Sequence, residues 1–465
     1  MLKKNAIYLL MKIVGKENVL TDSESLVCYS YDAVNRKFLP DAVVFPGTAQ
    51  EIAEILRLAN RMQFAVIPRG AGSGFTGGAL AILSGVVLVT TRLNRIVEID
   101  ADNLTAIVEP GVLCGDFQNE VKKRGLFYPP DPSSLAFSSL GGNAAENAGG
   151  PHGLKYGVTR DYVTGLEVVL PTGEIITTGV RTMKGVVGYD ITRLIVGSEG
   201  TLGIITKIYV RLIPKPEATR TLIAAFSSIE ACSHTVSDII RSGIIPAKLE
   251  LIDQASIRCV STYRPLNLPA GTEAVLLIEL DGDPLTMKKQ TDRIEELCRN
   301  REAFYIKQAQ TDQEAETLWQ IRQAISPALM QLKLTKINED IVVPRSRIPD
   351  LFHRLEQIKK KFQLPVISFG HAGDGNLHVN VMYDKSRKGE PEKAERVVKE
   401  LFQTVIELGG TISGEHGIGI TKAAYLGMEL TDTEIALMKR IKRAFDPNDI
   451  LNPGKIFYGN PAEEY

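Results

Sequence analysis

Apolar and polar positions alternate along this chain with two different periods, and the switches between them outline its elements. Between residues 41 and 110, the runs Ala42–Phe45, Ala65–Pro68, Val86–Thr90 and Ala106–Glu109 have the length and β-branched content of strands. Among them Ile52, Ile55, Leu56 and Ala59 recur at helical spacing and predict a helix over Ala49–Met62. From Tyr128 to Gly203 glycine and turn residues dominate, and strand-like runs return at Leu166–Leu170 and Gly203–Leu212. The texture changes again at Pro214–Pro216. Strand, helix and strand are predicted at Leu222–Phe226, Ile229–Ser242 and Ala247–Leu251, then at Ala274–Leu280, Leu285–Cys298 and Ala303–Gln308. That order predicts an antiparallel sheet with helices on one face, as in a ferredoxin-like domain. The stretch from Asn338 to Asp384 repeats strand, helix, strand, and Thr431–Phe445 predicts a charged amphipathic helix stopped at Asp446-Pro447. There is no fixed-period repeat and no low-complexity segment.

Composition narrows the class. The 465 residues suffice for two to four domains. Lys plus Arg number 54 against 55 Asp plus Glu, a formal charge of −1, so no basic excess exists for nucleic acid. The apolar run Ala6–Met11 is far below the roughly 20 residues of a spanning helix, and it predicts an amphipathic N-terminal helix. No transmembrane segment is expected. The five cysteines, Cys28, Cys114, Cys232, Cys259 and Cys298, are odd in number and contain no C-x-x-C. Neither a disulfide framework nor an iron–sulfur site is written here, and the expected compartment is the reducing cytoplasm. Redox chemistry in this chain would need a non-cysteine carrier and a partner to receive electrons.

Glycine, with 40 residues, is the compositional outlier, and it is concentrated in three segments between strands. The first is Pro68-Arg69-Gly70-Ala71-Gly72-Ser73-Gly74-Phe75-Thr76-Gly77-Gly78. Gly72, Gly74 and Gly77 have dinucleotide-fingerprint spacing, but Ala79–Leu83 is too short for the helix that a Rossmann unit requires next. The fingerprint fails on context, while bare N–H groups can still form an anion-binding nest. The second segment is Ser138–Gly150, continuing through Gly153-Leu154-Lys155-Tyr156-Gly157, and is too rich in small residues to make a core of its own. The third is Gly197-Ser198-Glu199-Gly200-Thr201-Leu202-Gly203-Ile204-Ile205.

Two further motifs hold three of the six histidines: His371-Ala372-Gly373-Asp374-Gly375-Asn376-Leu377-His378-Val379-Asn380 and Ser413-Gly414-Glu415-His416-Gly417. Val366–Phe369 and Leu377–Met382 read as strands joined by a turn, so His371 and His378 fall at one end of a sheet, and Asn380 shares a face with His378. Two imidazoles with Glu415 suit a catalytic Zn²⁺, Mn²⁺ or Fe²⁺ site. On the residues alone, histidines hydrogen-bonded within a glycine-rich loop suit the pattern equally. A secondary alcohol gives up hydride only when its hydroxyl proton is withdrawn, and His416 is the candidate base. Arg322, with Ser326 four residues on, lies on a predicted helix around Trp319 and is the candidate carboxylate anchor; Lys336 is a weaker second. An isolated helical arginine is more often a solvated charge. Trp319 reads as packing.

Together these segments resemble the vanillyl-alcohol-oxidase/p-cresol-methylhydroxylase (PCMH) flavoprotein superfamily, and within it the FAD-linked D-2-hydroxyacid dehydrogenases of the glycolate oxidase D-subunit and D-lactate dehydrogenase type. The resemblance spans nearly the whole chain. It implies an α+β fold: a PCMH-type FAD-binding domain of two subdomains at 1–216, a ferredoxin-like substrate or cap domain at 217–430, and a C-terminal helical segment at 431–465 that returns to the FAD domain. It implies noncovalent FAD, with the pyrophosphate cradled by Pro68, Arg69, Gly70, Ala71, Gly72, Ser73, Gly74, Thr76, Gly77 and Gly78. Pro130, Ser138, Leu140, Gly141, Gly142, Asn143, Asn147, Gly149, Gly153, Tyr156 and Gly157 would follow the flavin and ribityl chain. Glu199, Gly200, Gly203, Ile204 and Ile205 would close the adenosine side, and Asn452 would touch the ring. The same resemblance implies that the histidine motifs line the substrate site, with His371, His378 and Glu415 on a divalent ion, and that Arg322 holds the substrate carboxylate. The expected activity is oxidation of a small D-2-hydroxy acid, D-lactate or glycolate, with electrons passed to an electron-transferring flavoprotein, an iron–sulfur subunit or a quinone, and membrane contact only through such a partner. D-2-hydroxyglutarate oxidation and a non-catalytic flavin-binding subunit are the competing readings.

Overall fold

The computed structural model describes residues 2–34, 36–262, 268–332 and 334–457; residues 458–465 of the expected C-terminal segment lie outside them. The chain forms two units: Met1–Gly149, Val158–Lys215 and Glu415–Tyr465 make the first, and Gly150–Gly157 with Pro216–Gly414 the second.

The first unit begins with a small sheet ordered Val19–Leu20, Ala42–Val44, Val86–Val89, Val66–Arg69, in which the last three strands are parallel. The parallel crossover is the helix Ala49–Met62. Thr48 caps it by accepting from Glu51 N at 3.1 Å, and Glu51 and Arg61 complement its dipole at either end. Its apolar stripe, Ile52, Ile55, Leu56 and Ala59, packs with Leu10 of the N-terminal helix Lys4–Val14 against Val66, Val86 and Leu88. Val169 and Ile204 join this core from a second, five-stranded antiparallel sheet, ordered Ile96–Asp100, Thr105–Val108, Ile204–Arg211, Val163–Val169, Ile175–Gly179. No helix stands between Arg69 and Val86, as the spacing requires. The C-terminal tail adds itself to the small sheet: Val66 N donates to Ile450 O and Asn452 N to Val66 O, both at 2.8 Å.

The second unit is one antiparallel sheet of seven strands: β1 (Ala218–Phe226), β2 (Lys248–Asp253), β3 (Ala274–Gly282), β4 (Tyr305–Gln308), β5 (Thr335–Val342), β6 (Val366–His371) and β7 (Asn376–Tyr383). Their spatial order is β4-β1-β3-β2-β6-β7-β5. The first four have ferredoxin-like order. The last three repeat the β1-β3-β2 arrangement, and a single bridge, Val342 to Thr411, marks the place of a fourth strand. The halves meet through Leu251–Gly370 and Ile252–Phe369. Helices Ile229–Arg241, Pro284–Asn300, Ile348–Phe362 and Glu390–Glu407 form the expected layer. Two more, Gln254–Ser261 and Asp312–Leu329, cover the apolar half of the opposite face, so helices on one face alone is corrected to helices on both.

Candidate functional site

Period-two alternation assigns residues to that second face. Ile223, Val275, Leu277, Ile252, Ile367 and Phe369 cover it on the β1 side under Ile321, Ile325 and Leu329. Toward β5 the same face turns polar: register places Asp340 opposite His378 and Asn338 opposite Asn380, with Phe369 beside His378 and Ile367 beside Asn380. The odd positions Leu377, Val379 and Val381 are buried on the other side.

Where the apolar and polar halves meet lies Glu250 of β2, fully buried. Its Oε2 accepts from Arg322 Nε at 2.6 Å, and its Oε1 is hydrogen-bonded to His371 Nδ1. Burial alone would raise this carboxyl, but Arg322 and then His371 outweigh it and hold the pKa at about 2. The Arg322 guanidinium lies 4.7 Å above the Phe369 ring, and among the described residues its buried Nη2 has no hydrogen-bond partner. The His371 and His378 rings stand edge to face with centroids 5.3 Å apart, and His378 and Asp340 have ligand atoms within 4.8 Å of each other. Asp340 accepts from Asn376 Nδ2 at 2.6 Å and Gly414 N at 2.9 Å. Asn380 Nδ2 donates to Ile367 O and His378 O, while its buried Oδ1 has no partner among the described residues. Lys336 Nζ donates to Ser326 Oγ at 3.1 Å, and burial lowers its pKa. Trp319 packs as expected, donating to Thr221 Oγ1 at 3.3 Å beneath Lys248. The face brings together Arg322, Lys336, His371, His378 and Asn380.

In the first unit the glycine segments nest against one another. A side chain at Gly70 would collide with Ser139 Oγ of the second segment. Gly77 has φ +79°, and a Cβ there would lie 2.6 Å from Ile420. The second segment holds a helix the sequence reading missed, Leu140–Glu146, capped by Ser139 and ended by a left-handed Asn147. Asn452 Nδ2 donates to Gly78 O at 3.0 Å and Glu199 O at 2.9 Å, tying the first segment to the third; Lys455 Nζ donates to Leu80 O. Pro130 O accepts from Gln118 Nε2 at 2.8 Å. Among the described residues, buried Arg69 Nη1, Thr76 Oγ1, Ser138 Oγ and Glu146 Oε2 have no hydrogen-bond partner. Buried polar atoms without partners on nested, N–H-rich backbone fit a polyanionic cofactor that supplies the missing bonds.

Two placements differ from expectation. Gly153, Tyr156 and Gly157 belong to the second unit, because Tyr156 OH donates to Asp281 Oδ2 at 2.6 Å and Lys155 pairs with the same carboxylate. Glu415 and His416, expected within 217–430, belong to the first unit. Glu199 explains this: its two oxygens accept from Ile418 N and Gly419 N, each at 2.7 Å, and Thr76 O accepts from Ile420 N at 2.8 Å. The His416 ring stacks on Phe75 of the first glycine segment at 4.9 Å, and a Cβ at Gly149 would lie 2.7 Å from Glu415 Oε2. Burial, then Glu199 and Asp32, push Glu146 well above the carboxylate range.

Sequence reasoning missed Glu250, Asp340 and Asn376. A carboxylate inside the apolar strand Lys248–Asp253 was the available signal for the first. Alternation along β5 was the signal for the second.

This architecture is that of the PCMH flavoproteins. Solved structures of p-cresol methylhydroxylase with substrate bound (TM-score 0.80, 17% identity, 98% of this chain and 96% of that one) and of alkyldihydroxyacetonephosphate synthase (0.76, 18%, 97% and 86%) share the fold. The model of FAD linked oxidases, C-terminal domain, matches residues 215–456, and that of the FAD binding domain matches residues 40–179. Glycolate oxidase subunit GlcD of Bacillus subtilis (strain 168) is 47% identical over 98% of this chain and 97% of its own length. The D-lactate dehydrogenase of Anaerostipes hadrus is 36% identical over 96% of each. The chain belongs to the FAD-linked oxidase family and is an FAD-dependent oxidoreductase of the glycolate oxidase and D-lactate dehydrogenase type. Among the described residues no helix is long and apolar enough to cross a membrane.

Proposed function

We propose that this enzyme oxidises a small D-2-hydroxy acid, D-lactate first and glycolate second, to the 2-keto acid. The observation that carries the reading is Arg322: a buried guanidinium, held at Nε by Glu250, with Nη2 left without a partner among the described residues. Such a group suits a carboxylate, and Lys336 on the same face supplies a second, weaker donor. Asn380 Oδ1 offers an acceptor for the substrate hydroxyl. His416 takes the hydroxyl proton as the C2 hydride departs, leaving a keto group. FAD, held noncovalently by the three glycine segments, supplies the two-electron acceptor for that hydride when bound. The donors His371, His378 and Glu415, two imidazoles and a carboxylate, fit Zn²⁺, Mn²⁺ or Fe²⁺, and such an ion when bound would polarise the hydroxyl oxygen. Asp340 beside His378 is a further donor for it.

The electrons then leave for a partner, an electron-transferring flavoprotein or an iron–sulfur subunit; the "subunit" in the name of the Bacillus relative supports a complex. All five cysteines are free, which agrees with a cytoplasmic enzyme that reaches a membrane only through that partner. Arg322→Ala should retain its flavin yet lose about 3 to 5 kcal/mol of transition-state stabilisation, read as kcat/KM for D-lactate. A loss of less than about tenfold would remove Arg322 from the substrate site. Chelator treatment should abolish turnover without releasing flavin.

A further inference from the structure

We propose that Glu250 is a positioning residue serving both functions of the second unit: it aims Arg322 at the substrate carboxylate and fixes His371 in the tautomer that a metal ligand needs. The inference rests on the roles just given to Arg322 and His371. Each oxygen of this fully buried side chain is committed to a different partner, Oε2 to Arg322 Nε and Oε1 to His371 Nδ1. Beside a guanidinium that never loses its proton, the carboxylate only accepts hydrogen bonds. Nδ1 of His371 must therefore carry a proton, and in the neutral ring that leaves Nε2 with the lone pair a metal requires. On the other side, occupying Nε and stacking the guanidinium on Phe369 fixes its plane and leaves Nη2 for the ligand. Glu250 touches neither substrate nor ion; its effect passes through the two side chains it holds.

Glu250→Gln separates this role from packing. Glutamine keeps the volume but has one acceptor: with its oxygen toward Arg322, its amide faces Nδ1, the proton moves to Nε2, and ligation is lost. Zn²⁺ affinity, measured by equilibrium dialysis on the FAD-loaded full chain, should fall about 10- to 100-fold, and KM for D-lactate should rise, with flavin content unchanged. If the buried Arg322 left behind prevents folding, Glu250→Gln combined with Arg322→Gln removes the uncompensated charge, and the Zn²⁺ loss is expected to persist. Zn²⁺ affinity within about threefold of wild type in either variant, while His378→Ala abolishes binding, would overturn the role of Glu250 and leave the metal reading standing. A wild-type enzyme that binds no Zn²⁺, Mn²⁺ or Fe²⁺ would overturn both.

Discussion

At the residue scale, carboxylates decide how the functional groups are held, and they do so in opposite ways. Glu250 is held low by the cation and imidazole that flank it, whereas burial, with Glu199 and Asp32 nearby, pushes Glu146 well above the carboxylate range. The second case has a pH signature. The folded-state pKa of Glu146 is raised above its ordinary 4.5, so between those two values the folded chain binds more protons than the unfolded one. Stability from this group is present below pH 4.5 and is lost as the pH rises toward the folded-state pKa. Glu146→Gln, which imitates the protonated form, should therefore show a smaller fall in urea midpoint between about pH 5 and pH 8 than the wild type. Parallel pH profiles for the two proteins would mean that Glu146 is ionised in the fold. Of the residues gathered on one face of the second unit's sheet, His371, His378 and Asn380 were singled out in the sequence by short glycine-bearing motifs, and Arg322 by its place on a predicted helix together with the family resemblance. Glu250 and Asp340 were not, because a single charge inside an apolar strand reveals its partners only once the strands that flank it are known.

At the element scale, three of the long periodic segments were legible to within a residue: the helix Ala49–Met62 was bounded as observed, and Ile229–Arg241 and Asp432–Phe445 were each off by one position at one end. The helices Cys114–Lys122, Gln254–Ser261 and Glu390–Glu407 were not predicted, and neither was the one among the glycine segments, Leu140–Glu146. Its sequence Leu-Gly-Gly-Asn-Ala-Ala-Glu carries two glycines and no apolar stripe, so neither propensity nor periodicity announces a helix. The Ser139 cap and packing against the first glycine segment override the poor local preference. Gly70→Val tests that packing, since a branched side chain there drives into Ser139 Oγ and forces the cap apart. Strain of about 1 to 3 kcal/mol between the two segments should weaken FAD retention by about 5- to 150-fold, measured as the dissociation constant of the reconstituted protein. Unchanged FAD affinity would mean that the two segments need not touch to hold the cofactor.

At the scale of the whole molecule, the texture of the sequence changes at Pro214–Pro216, and the first unit runs to Lys215 where the second resumes at Pro216. The exchanges that cross it were invisible. Gly150–Gly157 joins the second unit through the ionic contacts of Lys155 and Tyr156, and Glu415 onward joins the first through the bonds that Glu199 makes to Ile418 and Gly419; neither leaves a periodic trace. The repeat of strand, helix and strand over Asn338–Asp384 was legible, but its joining to the first half in one continuous sheet was not, because that lives in strand pairing. What the molecule as a whole is proposed to do is remove a hydride and a proton from one carbon and its hydroxyl and deliver two electrons to FAD. The most direct test is anaerobic mixing of the FAD-loaded full chain with D-lactate, glycolate and L-lactate while following the visible flavin absorbance. D-lactate and glycolate should bleach it within the turnover time and L-lactate should not; flavin that stays oxidised with every 2-hydroxy acid would contradict the account.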